Sequence, residues 1–185
     1  MVRRTGFTLV ELLITAVIGG MLLAMGAQVI TTHIRITGRQ EALQRLRDHW
    51  GLVSHLINTE ALEGSVIQRN QTMANCEGGG TSILTIQLSD ANQPPIHYYQ
   101  AANTDDLWRC GPEIQRNGHL NPNTIVSGLV APNATLSIPV SEPDAGDHEL
   151  AYELTLTSRN NQQGETYAGR SMARTSGRTY SSHTR

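Results

Sequence analysis

The chain has 185 residues, a formal net charge of −2 and a hydrophobic content of 38%, which suit one ordinary domain with an accessory segment and give no reason to expect a nucleic-acid partner. The sequence contains no lysine, so a Walker-type phosphate loop and Schiff-base catalysis are excluded. One phenylalanine and two tryptophans are too few for an aromatic platform that stacks single-stranded nucleic acid.

The first predicted element is an apolar helix at residues 7–30. Glu11 is its one charged residue, and as a helix the segment would be roughly 36 Å long, enough to cross a hydrocarbon core of about 30 Å. Arg3 and Arg4 precede it, and the positive-inside rule places that end in the cytoplasm. We therefore predict a single-pass membrane helix with all later residues outside the cytoplasm.

Two simple interpretations of this segment are a plain membrane anchor and a secretory signal peptide. In the second, the mature chain would begin near Ala27 or Gln28. Neither interpretation explains Glu11, because a bare carboxylate in hydrocarbon is costly and needs a partner. Neither explains why Gly6 stands directly between the charged residues and Phe7.

The run Gly6-Phe7-Thr8-Leu9-Val10-Glu11-Leu12-Leu13-Ile14 closely resembles the leader-cleavage signature of type IV pilins and pseudopilins. The resemblance implies that a prepilin peptidase cuts after Gly6 and that the new amine of Phe7 is methylated. Residues 1–6 would then be a cytoplasmic leader, and the apolar helix would stay on the mature protein in the bacterial inner membrane.

The same resemblance assigns Glu11 a role in assembly. After cleavage Glu11 would be the fifth residue, and in the family this glutamate pairs with the N-terminal amine of a neighbouring subunit as helices stagger into a filament. A charge-assisted contact of this kind relieves two groups that are costly when unpaired. The implied partners are other pilin subunits, the prepilin peptidase and methyltransferase, and an inner-membrane assembly platform.

Residues 31–64 are predicted to continue the helix in amphipathic form into a globular domain. Apolar residues recur there at spacings of three and four, which places them on one helix face; they are Leu43, Leu46, Trp50, Val53 and Ile57. We expect one helix from about Thr8 to about Leu62, with Gly64 as its stop.

Residues 65–158 are predicted to form a β-rich extracytoplasmic domain. Short alternating runs separated by turn residues indicate antiparallel strands; they lie at residues 82–88, 96–100, 107–110, 124–130, 134–138 and 151–157. A long helix ahead of such strands predicts an α+β fold in which the helix packs on an antiparallel sheet. The order of the tyrosine- and arginine-bearing strands also resembles the W- and J-type minor pilins and pseudopilins.

Residues 159–185 are predicted to be a polar, basic tail, because they carry five arginines and lack sustained apolar periodicity. A solvated tail is the simple interpretation. The alternative is a competence-type pilin in which Arg170, Arg174 and Arg178 contact DNA phosphates.

Cys76 and Cys110 are the chain's two cysteines, and outside the cytoplasm such a pair predicts one structural disulfide. Within the acidic run of residues 142–149, Asp144, Asp147 and Glu149 are weak calcium candidates, because their spacing does not follow an EF-hand.

No metal-ligand spacing or nucleophile elbow occurs in the sequence, so we predict a non-enzymatic protein without a cofactor. The sequence favours a minor type IV pilin or pseudopilin, processed at Gly6 and Phe7 and assembled through its N-terminal helix. A DNA-binding competence pilin and a secreted or anchored domain with an ordinary signal sequence remain the alternatives.

Overall fold

The computed structural model describes residues 8–73, 76, 80–90, 92–102, 104–139, 148–158 and 164–176. The chain divides into two compact units, Met1–Ala42 and Leu43–Arg185. One helix, α1, runs from Leu9 to Glu63, so it supplies the described secondary structure of the first unit and the opening element of the second. This is the long N-terminal helix that the sequence predicts.

The helix ends where the sequence predicts a stop. Gly64 follows Glu63 directly and begins the first strand. A Cβ atom at Gly64 would lie 2.5 Å from the Cγ2 atom of Ile86 and 3.1 Å from the carbonyl oxygen of Ala61. A larger residue would therefore separate the end of the helix from the sheet, and glycine allows the chain to turn at once from helix into strand.

Eight strands follow α1 and form two antiparallel sheets. The first sheet has the order β1-β2-β3-β4-β5, and its strands are Gly64–Gln68, Leu84–Leu88, Ile96–Gln100, Leu107–Ile114 and Leu120–Ala131. The second has the order β6-β7-β8, and its strands are Ala134–Ser137, Glu149–Thr157 and Thr166–Arg174. The predicted α+β class, a long helix packed on antiparallel sheet, is confirmed.

The core of the second unit lies between the last turns of α1 and both sheets. The helix contributes Val53, Ile57 and Ala61. The sheets contribute mostly aliphatic side chains from alternate strand positions, which are Ile67, Leu84, Ile86, Ile96, Leu107, Leu136, Leu150, Leu154 and Leu156. Burial of the predicted apolar helix face increases along α1. Leu43 is exposed, Leu46 and Trp50 are half-buried and Ile57 is fully buried.

The prediction of a loose tail after residue 158 is wrong for Thr166–Arg174, which is strand β8 and pairs with β7 along its whole length. Every second residue of β8 faces inward, but several of these residues are small or polar, so hydrophobic alternation does not reveal the strand. At Gly169 a Cβ atom would lie 2.7 Å from the Trp50 ring. Small size is thus what the packing requires here. Strand β1 was also not predicted.

Candidate functional site

The part of α1 in the first unit exposes large apolar side chains from Leu9 to Ile36. Leu9 is 81% exposed and Leu23 is 78% exposed. The helix is long and apolar enough to cross a membrane, and none of the residues in its most apolar window is buried within the chain. A water-exposed surface of this size is unstable in a soluble monomer, so this surface needs lipid or the helices of other subunits around it.

Threonine hydroxyls in the apolar segment and directly after it bond to the helix's own carbonyls. The Oγ1 atom of Thr15 donates to the carbonyl oxygens of Glu11 at 3.0 Å and Leu12 at 2.9 Å. Thr31 and Thr32 do the same with the carbonyl of Gln28, at 2.9 and 2.8 Å. These local bonds satisfy the hydroxyls without a partner outside the helix, which a hydrocarbon environment demands.

Glu11 lies in the first turn of α1, three residues after Thr8. The backbone N–H of Glu11 donates to the Thr8 carbonyl oxygen at 3.1 Å and approaches the Thr8 hydroxyl at 3.4 Å, an arrangement typical of a helix N-cap. The first turn is also where the helix dipole favours a carboxylate. The side chain is exposed, and no cation of the described residues pairs with it. Gly6 and Phe7 lie outside the described residues.

A second glutamate of the same helix, Glu60, has the opposite environment. It is 4% exposed; its Oε1 atom accepts a hydrogen bond from Nε of Arg109 at 2.6 Å, and its Oε2 atom accepts one from the Tyr98 hydroxyl at 2.5 Å. This cluster ties the end of α1 to β3 and β4. Burial raises the pKa of Glu60, and the nearby Arg109 charge only partly offsets that effect. Burial also raises the pKa of Tyr98 well above its ordinary value, so Tyr98 remains a donor.

Tyr152 on β7 forms a further polar contact between the helix and the second sheet. Its hydroxyl lies 2.9 Å from the Oγ atom of Ser54 and donates to Oδ1 of Asn58 at 3.1 Å. Trp50, which the sequence predicts as a core residue, donates from Nε1 to the carbonyl oxygen of Leu154 at 3.0 Å. Its ring also meets the ring of Tyr167 edge to face, with centroids 6.1 Å apart.

The sequence pattern alone does not predict the Glu60 cluster. A signal was present, because Glu60 follows Ile57 by three residues and therefore falls on the predicted apolar stripe. A charge on such a stripe must be paired when it is buried, yet its partners Tyr98 and Arg109 stand 38 and 49 residues further along the chain. Only the folded sheet brings them to the helix.

Cys76 and Cys110 are joined in a disulfide. Cys110 is fully buried on β4 and packs with Met73 and Tyr99, while Trp108 covers the edge of this small cluster. The disulfide thus fastens the loop before β2 onto the face of the first sheet that lies opposite Glu60. The described residues contain no free cysteine.

The predicted calcium and DNA contacts gain little support. Asp144 and Asp147 lie outside the described residues, and Glu149 pairs with Arg174 at 3.2 Å. No group of three or more metal-ligating side chains occurs in the part of the chain that the structure describes. Arg170 pairs with Glu153 at 3.4 Å, so two of the three arginines proposed for DNA already have carboxylate partners, and Arg178 lies outside the described residues.

Comparison with known proteins identifies the N-terminal segment. Residues 1–27 match the family model described as the prokaryotic N-terminal methylation motif. The match includes Gly6, Phe7 and Glu11. No curated protein and no solved structure matches the chain. The methylation motif, together with the exposed apolar helix behind it, indicates a prepilin-processed protein similar to the type IV pilins and pseudopilins.

Proposed function

We propose that the protein is a minor structural subunit of a type IV pilus or a type II secretion pseudopilus. A prepilin peptidase removes residues 1–6, and the Phe7 amine is methylated. Before assembly the chain is anchored in the inner membrane, with its second unit outside the cytoplasm. It then enters the filament, or caps its tip, through the first part of α1.

The observation that carries this proposal is an exposed apolar helix that contains one acid, Glu11, for which the described residues supply no cation. A signal peptide or a plain anchor gains nothing from a carboxylate one turn into its apolar segment. A staggered bundle of identical or related helices does gain, because cleavage creates a positive amine at Phe7 of each subunit. The Glu11 carboxylate of one subunit and the amine of the next can then neutralise each other away from water.

The choice of a minor subunit rests on the arrangement of the second unit. Tyr98, Arg109 and Tyr152 stand on β3, β4 and β7, in the strand order by which the sequence resembles W- and J-type subunits. All three contact the end of α1. This resemblance supports a minor subunit, and the carboxylate partners of Arg170 and Arg174 on β8 mean that these residues add no support for the DNA-binding alternative.

The test is assembly of Glu11 variants in the native host, with Glu63→Gln as the control. Glu63 lies on the same helix and is exposed, so its neutralisation should leave assembly unchanged. Glu11→Gln should be processed and accumulate in the membrane at a normal level, yet be depleted from purified filaments by about tenfold, the factor that corresponds to about 1.4 kcal/mol. Equal incorporation of the Glu11→Gln and Glu63→Gln proteins would contradict the proposal.

A further inference from the structure

His97 on β3 is a buried titratable residue outside the Glu60 cluster. It is 6% exposed. The next residue, Tyr98, points to α1, where it binds Glu60, so His97 points to the opposite face of the first sheet. It occupies the middle of a row of residues that pair directly across the five strands, which are Gln68, Thr85, His97, Cys110 and Ser127. Of this row, only His97 can become charged near neutral pH.

A short piece of chain before β2 folds back on itself over this face. It is called the loop ladder here and consists of Gln71–Met73 and Gly80–Ser82. Backbone hydrogen bonds of 2.8 and 3.0 Å join its two halves. Met73 packs against Cys110, the residue directly opposite His97 on β4. The loop ladder therefore lies over the part of the face that His97 occupies.

A chain of hydroxyl groups connects His97 with the loop ladder. Nδ1 of the imidazole lies 3.0 Å from Oγ1 of Thr85, which in turn lies 2.6 Å from Oγ of Ser82. The Ser82 hydroxyl donates to the carbonyl oxygen of Gln71 at 3.1 Å. Because each hydroxyl has one proton to donate, Thr85 donates to Ser82, and the neutral imidazole donates to Thr85 from Nδ1. Nε2 is then the nitrogen that takes up a proton in acid.

Protonation at Nε2 places a positive charge in a site that has no described counter-charge. The side chains next to the ring are those of Thr85 on β2, Tyr99 on β3, Cys110 on β4 and Met73 of the loop ladder. All of them are uncharged in neutral and mildly acidic solution. Burial accordingly lowers the pKa of His97 below its ordinary value of 6.5.

Two charged residues are close to the loop ladder in the sequence. Arg69 comes two residues before the ladder and has an interaction partner of its own. A second positive charge does not stabilise a charged imidazole. Glu77 lies outside the described residues, so its effect on His97 is included in the test.

We infer that His97 is a pH-sensitive latch whose neutral form holds the loop ladder on the first sheet through Thr85 and Ser82, and that acidification releases the ladder. The hydroxyl chain tolerates the charged ring, because Nδ1 is a donor in both protonation states. The cause of release is therefore the buried charge, whose cost is relieved when water reaches the ring. This inference uses the second unit alone and does not rest on the proposed function.

The size and direction of the effect follow from proton linkage. A histidine with a lowered pKa in the closed form favours that form above pH 6.5 and loses this contribution as the pH falls. The ratio of open to closed forms rises by at most about tenfold for each pH unit. The disulfide from Cys76 to Cys110 keeps the chain attached to β4, so we expect a local and reversible opening.

The test is hydrogen–deuterium exchange of the detergent-solubilised full-length chain at about pH 7.5 and about pH 5, on either side of the ordinary histidine pKa. Protection factors remove the direct effect of pH on the exchange chemistry. Protection of the Met73 and Ser82 amides, which donate within the loop ladder, should fall by about tenfold at the lower pH. Amides of β7 and β8, which pair along their whole length, should keep their protection.

His97→Asn is the decisive variant, because its amide can donate to Thr85 and cannot become charged. It should keep the loop ladder protected at both pH values. The matched control His119→Asn, at the exposed turn between β4 and β5, should retain the natural response, and so should Glu77→Gln.

Three results would overturn the inference. The first is equal protection of the loop ladder at the two pH values, and the second is an equal loss of protection in β7 and β8. Both are read on the natural chain, so they decide the question even if His97→Asn fails to fold. The third is a natural response in His97→Asn, or its loss in His119→Asn or Glu77→Gln.

Discussion

Two glutamates of one helix differ in where they find a partner. Glu60, in the second unit, is buried and bound by Tyr98 and Arg109 of the same chain. Glu11, in the first unit, is exposed, and no cation of the described residues binds it. Both acids stand among apolar neighbours, so both need a partner once water is removed.

This difference shows that the second unit supplies a partner for its acid within the chain, whereas the described part of the first unit does not. In the second unit the side chains of Ser54, Asn58 and Glu60 on α1 have partners on the sheets, and a disulfide fastens a loop onto the first sheet. The first unit has satisfied its hydroxyls locally, but its apolar surface and its acid still face outward. Such a unit reaches a stable state only through lipid or other helices.

The largest expected effect is the difference in unfolding free energy between the Glu60→Ala and Glu11→Ala variants. Glu60→Ala should lower the free energy of unfolding of the second unit by about 3–5 kcal/mol, because it leaves the buried Arg109 uncompensated. Glu11→Ala should change that free energy by less than about 1 kcal/mol, the usual size of a helix-terminus effect. Urea unfolding of the detergent-solubilised chain, followed by tryptophan fluorescence, measures both. Equal losses for the two variants would contradict the assignment of their partners.

Removal of the disulfide should also act on the second unit alone. Cys76 and Cys110 are 34 residues apart, and opening a loop of this size should cost about 3–4 kcal/mol by the chain-entropy account. The double variant Cys76→Ser/Cys110→Ser should therefore unfold at a lower urea concentration, with the reduced natural protein as its control. Circular dichroism of the membrane-inserted helix should be unchanged. A loss of helical signal from the first unit would contradict this expectation, because it would show that the helix of the first unit depends on the disulfide of the second.

A smaller effect is expected from Tyr152→Phe. The substitution removes the hydroxyl that joins Ser54 and Asn58 to β7 and leaves those polar groups without this partner, at a cost of about 1–3 kcal/mol. Tyr167→Phe is the matched control, because the described contact of Tyr167 is made by its ring with Trp50. Urea unfolding should separate the two variants. If they lose the same stability, the Tyr152 hydroxyl does not contribute as described.

The smallest expected effect is a dependence on pH that belongs to Glu60. Because burial raises its pKa above the ordinary value of 4.5, its contribution to stability is greatest below that pH and falls as the pH rises through the raised value. The difference in unfolding free energy between the natural protein and Glu60→Gln should follow this direction. A relative gain in stability for the natural protein as pH rises through 4.5 would mean that the attraction of Arg109 outweighs burial.

Much of the fold could be predicted from local pattern. The helix end at Glu63 and the strand at Ile96–Gln100 follow from a glycine stop and from alternation between turn residues. Strand β8 could not be predicted in this way, because Trp50 requires a glycine where an apolar residue would have marked the strand. Its inward positions are defined by the neighbouring helix.

The residues of the candidate site also differ in how well the sequence alone predicts them. The motif at Gly6, Phe7 and Glu11 is contiguous in sequence, so reading along the chain was enough to find it. The Glu60 cluster joins residues from α1, β3 and β4, and its meaning depends on a sheet that brings Tyr98 and Arg109 together. A contiguous cleavage motif can be recognised directly in the sequence. Contacts between residues that are distant along the chain are much harder to predict, because they form only on folding.

The most direct test of the central claim, that Glu11 stays on the mature chain and meets an amine created at Phe7, is the N-terminal mass of the membrane-associated protein from its native host. We predict a chain that begins at methylated Phe7, with this form lost when the prepilin peptidase is absent. A chain beginning near Ala27 or Gln28 would remove Glu11 from the mature protein and contradict the account. Retention of Met1 in the presence of an active peptidase would contradict it equally and would favour a plain anchor.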